Sequence, residues 1–506
     1  MRLSKLSLEN FRCFKSLDLD LHPRLTVIVG KNGRGKTSIL DSIAIGLSPI
    51  VRGLSSANNR LSAKSLQDTD IRLEKSSTKA GKLRWVASDK VRVSLSLDDG
   101  MDWIVQKRST KLGSGIHRAD VRRKASRLAE RLLAIVDSIN SGGSKPVPVF
   151  AYYGAQRGYI EIPQRLRASQ QSYDYPTAAL IDSMNAHGNF REMLQWFDRE
   201  EVAELRANKG GRPEEYEYSI PLHCVRQTLK KVLGDDYGNP RFNREHKFVV
   251  DAKVGASPLY VSQLSQGYQS MLSLAMDFAR RLAIGNKHLS DLSGEITEGK
   301  SEDTIGDLLD LFRRLNPEWV EDDEKILKEF IDQDTYPLLA PGIMLVDEID
   351  LHLHPAWQQK VLNDLMLAFP TTQFIVTTHS PQVLSTVPAE CIRIISESVD
   401  EETGELEMHV DSASEQTEGV ASSSILASVM DIDPVPDLRS TRSLSEYISL
   451  IQLGTYESVE GLRLRDYLVD HYGLNHPLLL NCERLIRLKE LKNKSAVAKI
   501  NFEKEI

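Results

Sequence analysis

The chain has 506 residues, 41% of them hydrophobic and 27% charged, with a net charge of -7. That length allows two or three domains around a large core, and the balance is ordinary for a globular protein. The acidic excess excludes a wholesale nucleic-acid coat but leaves room for a local basic face. Cys13, Cys224, Cys391 and Cys482 form no CxxC spacing and read as reduced thiols of a cytoplasmic protein. No apolar run approaches the roughly 20 residues that span a bilayer. The opening MRLSKLSLENFRCF lacks the apolar core of a signal peptide, so the expectation is a chain outside the membrane.

Residues 24–47, RLTVIVGKNGRGKTSILDSIAIGL, hold the strongest signal. LTVIV is a continuous apolar run suited to a buried parallel strand. GKNGRGKT matches GxxxxGK[ST] from Gly30 to Thr37, and TSILDSIAIGL has helical spacing. Strand, glycine loop and helix are the context this phosphate motif needs. Glycines let backbone N–H groups converge on phosphate oxygens. Lys36 suits the β- and γ-phosphates and the Thr37 hydroxyl suits Mg2+. Residues 107–131, KRSTKLGSGIHRADVRRKASRLAER, are strongly basic, either a solvated helix face or a nucleic-acid contact.

Residues 166–245 read as helical and polar. VSQLSQGYQSMLSLAMDFARRLA, 261–283, starts a long amphipathic helix with Ser265 at its N-cap. Such a start offers free N–H groups and a positive dipole end, which fits an anion site as well as simple capping. An acidic stretch, 289–338, is longer than the next connection needs and reads as an insertion with one or two helices.

PGIMLVDE is a second buried strand ending in Asp347 and Glu348. An aspartate there holds Mg2+ opposite a glycine loop. A glutamate one step on orients or deprotonates water. Asp350, His352 and His354 follow closely and raise the question of a metal site. No other ligand set is placed to complete a tetrahedral zinc shell. FIVTTHSPQVL, 374–384, is another strand, with His379 just past its C-terminal end. Open α/β sheets gather ligands at that edge, which favours a γ-phosphate role. From residue 437 the tail is helical in pattern, an internal cap or a partner-docking module.

The order of phosphate loop, LSxG helix start, DE strand and His after a strand resembles the ATP-binding-cassette ATPases. LENFRCF (8–14), GKNGRGKT, DEIDLHLHP and TTHSP make it most similar to their RecF/SMC/OLD-like branch. The resemblance implies an α/β fold, a P-loop NTPase of the ABC-ATPase head type, discontinuous and two-lobed. The expected parts are an N-terminal lobe with Walker A and Q-loop (1–165) and a helical arm (166–245). A C-terminal lobe with signature, Walker B, D-loop and His switch (246–400) and a mostly helical C-terminal module (401–506) complete it.

The implied cofactors are ATP and Mg2+. Arg12, Gly30, Asn32, Gly33, Gly35, Lys36, Thr37 and Ser38 would surround the nucleotide. Thr37, Asp347 and Gln156 would serve the metal, with Glu348, His379 and Gln156 catalytic. Ser265 and Gly267 of a second head would face the γ-phosphate in a homodimer or higher oligomer. His352 and His354, on the D-loop, would lie at that interface. Two positions depart from the pattern. Gln266 replaces a signature glycine, and Arg34 stands where a small residue is usual, reaching a phosphate or facing solvent.

About 125 residues follow His379, less than an ordinary domain and a half, and carry no glutamate and DxD set of a Toprim nuclease. The chain therefore most resembles the PtuA-type ATPases of Septu and retron-associated anti-phage systems. That resemblance implies a separate HNH nuclease as partner and no intrinsic nuclease. In a retron setting it adds a reverse transcriptase with its RNA–DNA hybrid. The alternatives are a RecF/SMC-like DNA repair ATPase using the basic run 107–131, and a nucleotide-gated scaffold with little hydrolysis.

Overall fold

The computed structural model describes residues 1–55, 59–77, 83–109, 118–139, 143, 145–158, 173–186, 190–212, 216–234, 237–253, 257–291, 329–330, 333–399 and 406–504. Two compact units divide the chain, Met1–Ile425 and Leu426–Ile506.

The first unit opens with β1 (Leu3–Phe11), β2 (Phe14–Asp20) and β3 (Leu25–Val29), then α1 (Lys36–Gly53). Strands β4 (Leu73–Ser77), β5 (Leu83–Ala87), β6 (Lys90–Leu97) and β7 (Asp102–Arg108) lead to α2 (Arg118–Ile139) and β8 (Val149–Tyr153). Helices α3 (Phe190–Ala207) and α4 (Ile220–Leu233) precede β9 (Tyr237–Phe242), β10 (Phe248–Ala252) and β11 (Leu259–Tyr260). Next come α5 (Gln266–Gly285), β12 (Gly342–Val346), α6 (Pro355–Gln358), α7 (Val361–Ala368), β13 (Thr372–Thr377) and α8 (Pro381–Leu384). β14 (Ile392–Val399) and β15 (Leu406–Ser412) form the last hairpin.

Six strands make the central sheet, in the order β15-β14-β3-β13-β12-β8. All pair in parallel except β15. The residues of β3, β8, β12 and β13 are buried throughout, as continuous apolar strands covered on both faces must be. A second, antiparallel sheet has the order β2-β1-β6-β7. Its strand β6 alternates buried and half-buried residues, the period-2 pattern of a one-sided sheet. Helix α1 lies between the sheets: Ile39, Leu40 and Ile43 share one core with Val93 and Leu95 on one side and Leu345 and Ile375 on the other. Trp103 Nε1 anchors it by donating to the Gly46 carbonyl at 2.7 Å.

The expected lobes 1–165 and 246–400 are not separate bodies in this sheet. β3 and β8 come from the first and β12, β13 and β14 from the second, with β3 inserted between β13 and β14. The expected arm 166–245 holds α3 and α4, but its sheet runs on to β11 past that boundary. Phe197, Phe242 and Phe248 stack edge-on and tilted at 5.1 to 6.2 Å and tie α3 to that sheet. The C-terminal module expected from 401 begins later. β15 pairs with β14 from Leu406 to Ser412 and so belongs to the central sheet, and the second unit starts at Leu426. Most of the acidic insertion (292–328) and residues 110–117 of the basic run lie outside the described residues.

The second unit contains α9 (Arg439–Leu453), α10 (Val459–Tyr472) and α11 (Pro477–Lys504). Tyr447, Ile451, Leu464, Leu468, Leu479 and Cys482 form its core. Gly454, at φ 85, ends α9, and Ser458 caps α10 by accepting from Gly461 N at 3.1 Å. No helix among the described residues is long and apolar enough to cross a membrane.

Candidate nucleotide site

Three parallel strands end at one edge of the central sheet and deliver the site. β3 runs into the glycine loop, β12 into Asp347 and Glu348, and β13 into Thr378 and His379. Gly35 sits at φ +96, and a Cβ there would meet Cys13 Sγ at 2.6 Å and Phe14 Cε2 at 2.8 Å. Only glycine fits both the left-handed backbone and that close approach. Gly35 also precedes α1 without a side-chain cap, so the first N–H groups of α1 remain available to an anion. Lys36 Nζ donates to the carbonyls of Gly30 (2.8 Å) and Lys31 (3.1 Å), holding its ammonium over the loop. Burial pulls its pKa below the ordinary value, opposed by Asp347, Glu348 and Asp350.

Across the cleft, Asp347 is buried and each of its carboxylate oxygens accepts one hydrogen bond. Thr37 Oγ1 donates to its Oδ2 at 2.8 Å, Thr377 Oγ1 to its Oδ1 at 2.6 Å, and its own N–H donates to the Tyr153 carbonyl at 2.8 Å. Glu348 N donates to Thr377 Oγ1 at 2.8 Å. Glu348 adopts φ 50, a left-handed conformation unusual for a residue with a Cβ. Thr378 Oγ1 and His379 N both donate to Asp350 Oδ1, at 2.6 and 3.3 Å. Burial, then the nearby Lys36, holds the His379 pKa below its ordinary 6.5, against the pull of Asp350, Glu348 and Asp347.

These groups line a cleft of about 330 Å³, with Asn32, Gly33, Gly35, Lys36, Thr37 and Ser38 on one wall. Asp347, Glu348 and His379 form the other, and Arg12 and Cys13 close one end. Arg12 is held by Asp70 (2.9 Å) and Asp41 (2.8 Å), with Ser38 Oγ at 3.4 Å. The Thr37 hydroxyl and Asp347 carboxylate, already in contact, are the hard oxygen donors that Mg2+ takes alongside phosphate and water.

Other expected residues lie off this lining. Gln156 is exposed in the 3-10 turn Ala155–Gly158 after β8. Gly30 ends at the floor of the loop, through its carbonyl to Lys36. Ser265 caps α5, accepting from Tyr268 N at 3.4 Å, and is exposed. Gly267 is pressed on the D-loop: a Cβ would lie 2.6 Å from the His352 carbonyl oxygen. His352, at φ 61, and His354 are exposed. His354 Nδ1 accepts from Ala356 N at 3.3 Å, so this histidine caps a short helix. Among the described residues neither joins a cluster of three metal-capable side chains. Arg34 neither reaches the pocket nor faces solvent alone; it pairs with Glu397 on β14.

Cys13 and Arg157 belong to the site without having been anticipated. Cys13 lines the cleft only because β1 and β2 turn beside the glycine loop. Arg157 is buried under the Asp347–Glu348 turn, donating to the backbone carbonyls of Asp347, Glu348 (2.6 Å) and Gly154 (3.2 Å). Burial lowers its pKa to about 10, with Asp347, Asp350 and Glu348 pulling the other way. Its one visible signal was adjacency to Gln156 at the end of a buried strand.

The chain is similar to several known proteins. A family model described as "AAA domain" matches residues 5–195. Another, "AAA domain, putative AbiEii toxin, Type IV TA system", matches residues 255–385. The chain is similar to the Retron Ec83 probable ATPase of Escherichia coli, 26% identical, covering 100% of this chain and 89% of that protein. It is similar to the Retron Vc95 probable ATPase of Vibrio cholerae serotype O1 biovar El Tor, 24% identical over 78% of this chain and 74% of that one. A shorter match, 34% identical over 32% of this chain, is to the Septu protein PtuA of Bacillus mycoides, of which it covers 18%. Among solved structures, an Smc head bound to the C-winged helix domain of ScpA aligns over 82% of this chain and 98% of that one, at 17% identity and a TM-score of 0.38.

Proposed function

Taking as premise that the chain is an ABC-type ATPase related to the retron ATPases and to Septu PtuA, we propose that it hydrolyses ATP to ADP and phosphate in this cleft. Through that cycle it governs a separate effector nuclease in anti-phage defence. The observation that carries the reading is the convergence of Lys36, Thr37, Asp347, Glu348 and His379, drawn from three strand ends, on one cleft.

Lys36 and the α1 N-terminus bind the β- and γ-phosphates, and Ser38, Asn32 and the loop N–H groups complete the cradle. Thr37 and Asp347 would hold Mg2+, which would neutralise charge on the phosphates. Glu348 takes the proton of the attacking water or orients it. His379, neutral at physiological pH, hydrogen-bonds on the γ-phosphate side. Gln156, next to the Arg157 that binds the Asp347 and Glu348 carbonyls, would serve the metal from outside the present lining. Arg12 closes the cleft at its Asp41 end.

Ser265 and Gly267 do not line their own cleft, which leaves them for a head-to-head dimer in which each serves the pocket of the other copy. His352 and His354 then lie at that interface. As the resemblance to the PtuA-type ATPases implies, the effector is a separate HNH nuclease, and a reverse transcriptase with its RNA–DNA hybrid joins in a retron setting. The site of action is the cytoplasm.

Purified wild type and Glu348→Gln would be compared with and without the neighbouring nuclease chain. Glu348→Gln should keep ATP affinity, lose about 100-fold in turnover, and run as a dimer with ATP in light scattering. DNA degradation by the chain alone, or equal turnover in both proteins, would sink the reading.

A further inference from the structure

Arg157 presents a problem that the proposed reaction does not explain. The residue is 6% exposed, and among the described residues no carboxylate accepts from it. A buried cation without a bonded anion is costly unless its N–H groups are satisfied. Here they are satisfied by backbone. Nη1 donates to the Asp347 and Gly154 carbonyls and Nη2 to Glu348 O at 2.6 Å, while Nε has no partner among the described residues. The planar fork thus bridges two consecutive carbonyls, a geometry a lysine cannot reproduce.

Those carbonyls belong to a turn of the site that is held from outside. Glu348 is left-handed at φ 50, and its N–H and that of Ile349 are both taken by Thr377, at 2.8 and 2.9 Å. Thr377 therefore fixes the donors of the turn and Arg157 fixes its acceptors. The two clamp the peptide units on either side of the Glu348 Cα, which sets the direction of its side chain. The acidic groups Asp347, Asp350 and Glu348 surround the cation, and it follows Gln156 directly.

We infer that Arg157 is a positioning residue for hydrolysis: it holds the Asp347–Glu348 turn so that the Glu348 carboxylate stays on the cleft, and it acts on turnover through Glu348 rather than on nucleotide binding. This inference rests on Glu348 being the carboxylate that activates water.

The test is a double-mutant cycle on the full chain with Arg157→Met, Glu348→Gln and the combination, measuring kcat, KM and the calorimetric Kd for Mg-ATP. Arg157→Met should lower kcat by about 30-fold or more with Kd changed less than about three-fold, and should cost less than about two-fold further in the Glu348→Gln background. Independent, multiplying effects, or a Kd that weakens in step with kcat, would overturn the inference. If Arg157→Met does not fold, Arg157→Lys decides: it keeps the charge but not the fork, so about five-fold or more of kcat should be lost at unchanged Kd, and wild-type kcat would overturn the inference. Failure of the underlying reading looks different: wild type without turnover, or Glu348→Gln as fast as wild type, removes the catalytic carboxylate and this inference with it.

Discussion

Two loops face each other across the cleft and are held by opposite means. Residues 30–37 largely hold themselves: Lys36 returns to the Gly30 and Lys31 carbonyls, and Arg34 N donates to Lys31 O at 3.4 Å. Residues 347–350 hold little of their own shape. Thr37, Tyr153, Arg157, Thr377 and Thr378, from three separate segments, satisfy their polar groups. The first loop is a local motif that folds wherever its strand and helix fold. The second exists only after β8, β12, β13 and α1 have assembled. Damage to the first should strike binding, and damage to the second should strike turnover.

Lys36→Ala gives the largest expected effect and tests the binding side. The deletion removes a cation from the phosphate cradle and the donor to two loop carbonyls. Nucleotide affinity should fall by about 100-fold or more, read by calorimetry. Affinity within a few-fold of wild type would mean that the loop does not bind through this lysine.

Thr377→Val probes the opposite wall at the same volume. It leaves the Glu348 N–H without its acceptor and Asp347 Oδ1 without a donor. Turnover should drop by about ten-fold, and stability by about 1–3 kcal/mol for the orphaned buried groups, with Mg-ATP affinity nearly retained. Loss of affinity equal to the loss of turnover would erase the distinction between the loops.

His379 gives a smaller, pH-dependent signature. Burial and Lys36 hold its folded pKa below 6.5, so the unfolded chain takes up this proton first as pH falls. The contribution of the neutral ring to stability is therefore complete above 6.5 and declines as pH drops through the window beneath it. Between pH 7 and about 5 the Tm of wild type should fall more than that of His379→Gln. Parallel curves would show that the ring is not the titrating group.

The smallest effect is expected where the glycine loop departs from self-sufficiency. Arg34 pairs with Glu397 at the surface of the β14–β15 hairpin, and partly exposed pairs contribute little. Glu397→Gln should change ATP affinity by no more than about three-fold. A larger change would make the hairpin part of the nucleotide site.

Legibility followed the same division. GKNGRGKT was readable because strand, turn and helix propensities act within 24 residues, and VDE because a buried strand ending in acids keeps its pattern. The single sheet built from both halves of the chain was harder to see, since β3 inserts between β13 and β14 through pairing that has no local trace. The late start of the second unit was hidden likewise, because an acidic hairpin reads as solvated until its ladder to the sheet is known.

The amino-acid sequence alone determined the glycine loop, the acids opposite it, the histidine beyond β13 and the Ser265 cap of α5. Each is a short pattern whose physics is local: backbone freedom, periodicity, capping and charge. Only the tertiary structure decided that Gln156 stands outside the cleft while Arg157 lies beneath it, that Arg34 spends its charge on Glu397, and that Gly267 abuts His352. Those outcomes depend on which distant backbone arrives beside a side chain. A buried guanidinium binds whatever carbonyls the assembled sheet brings within reach.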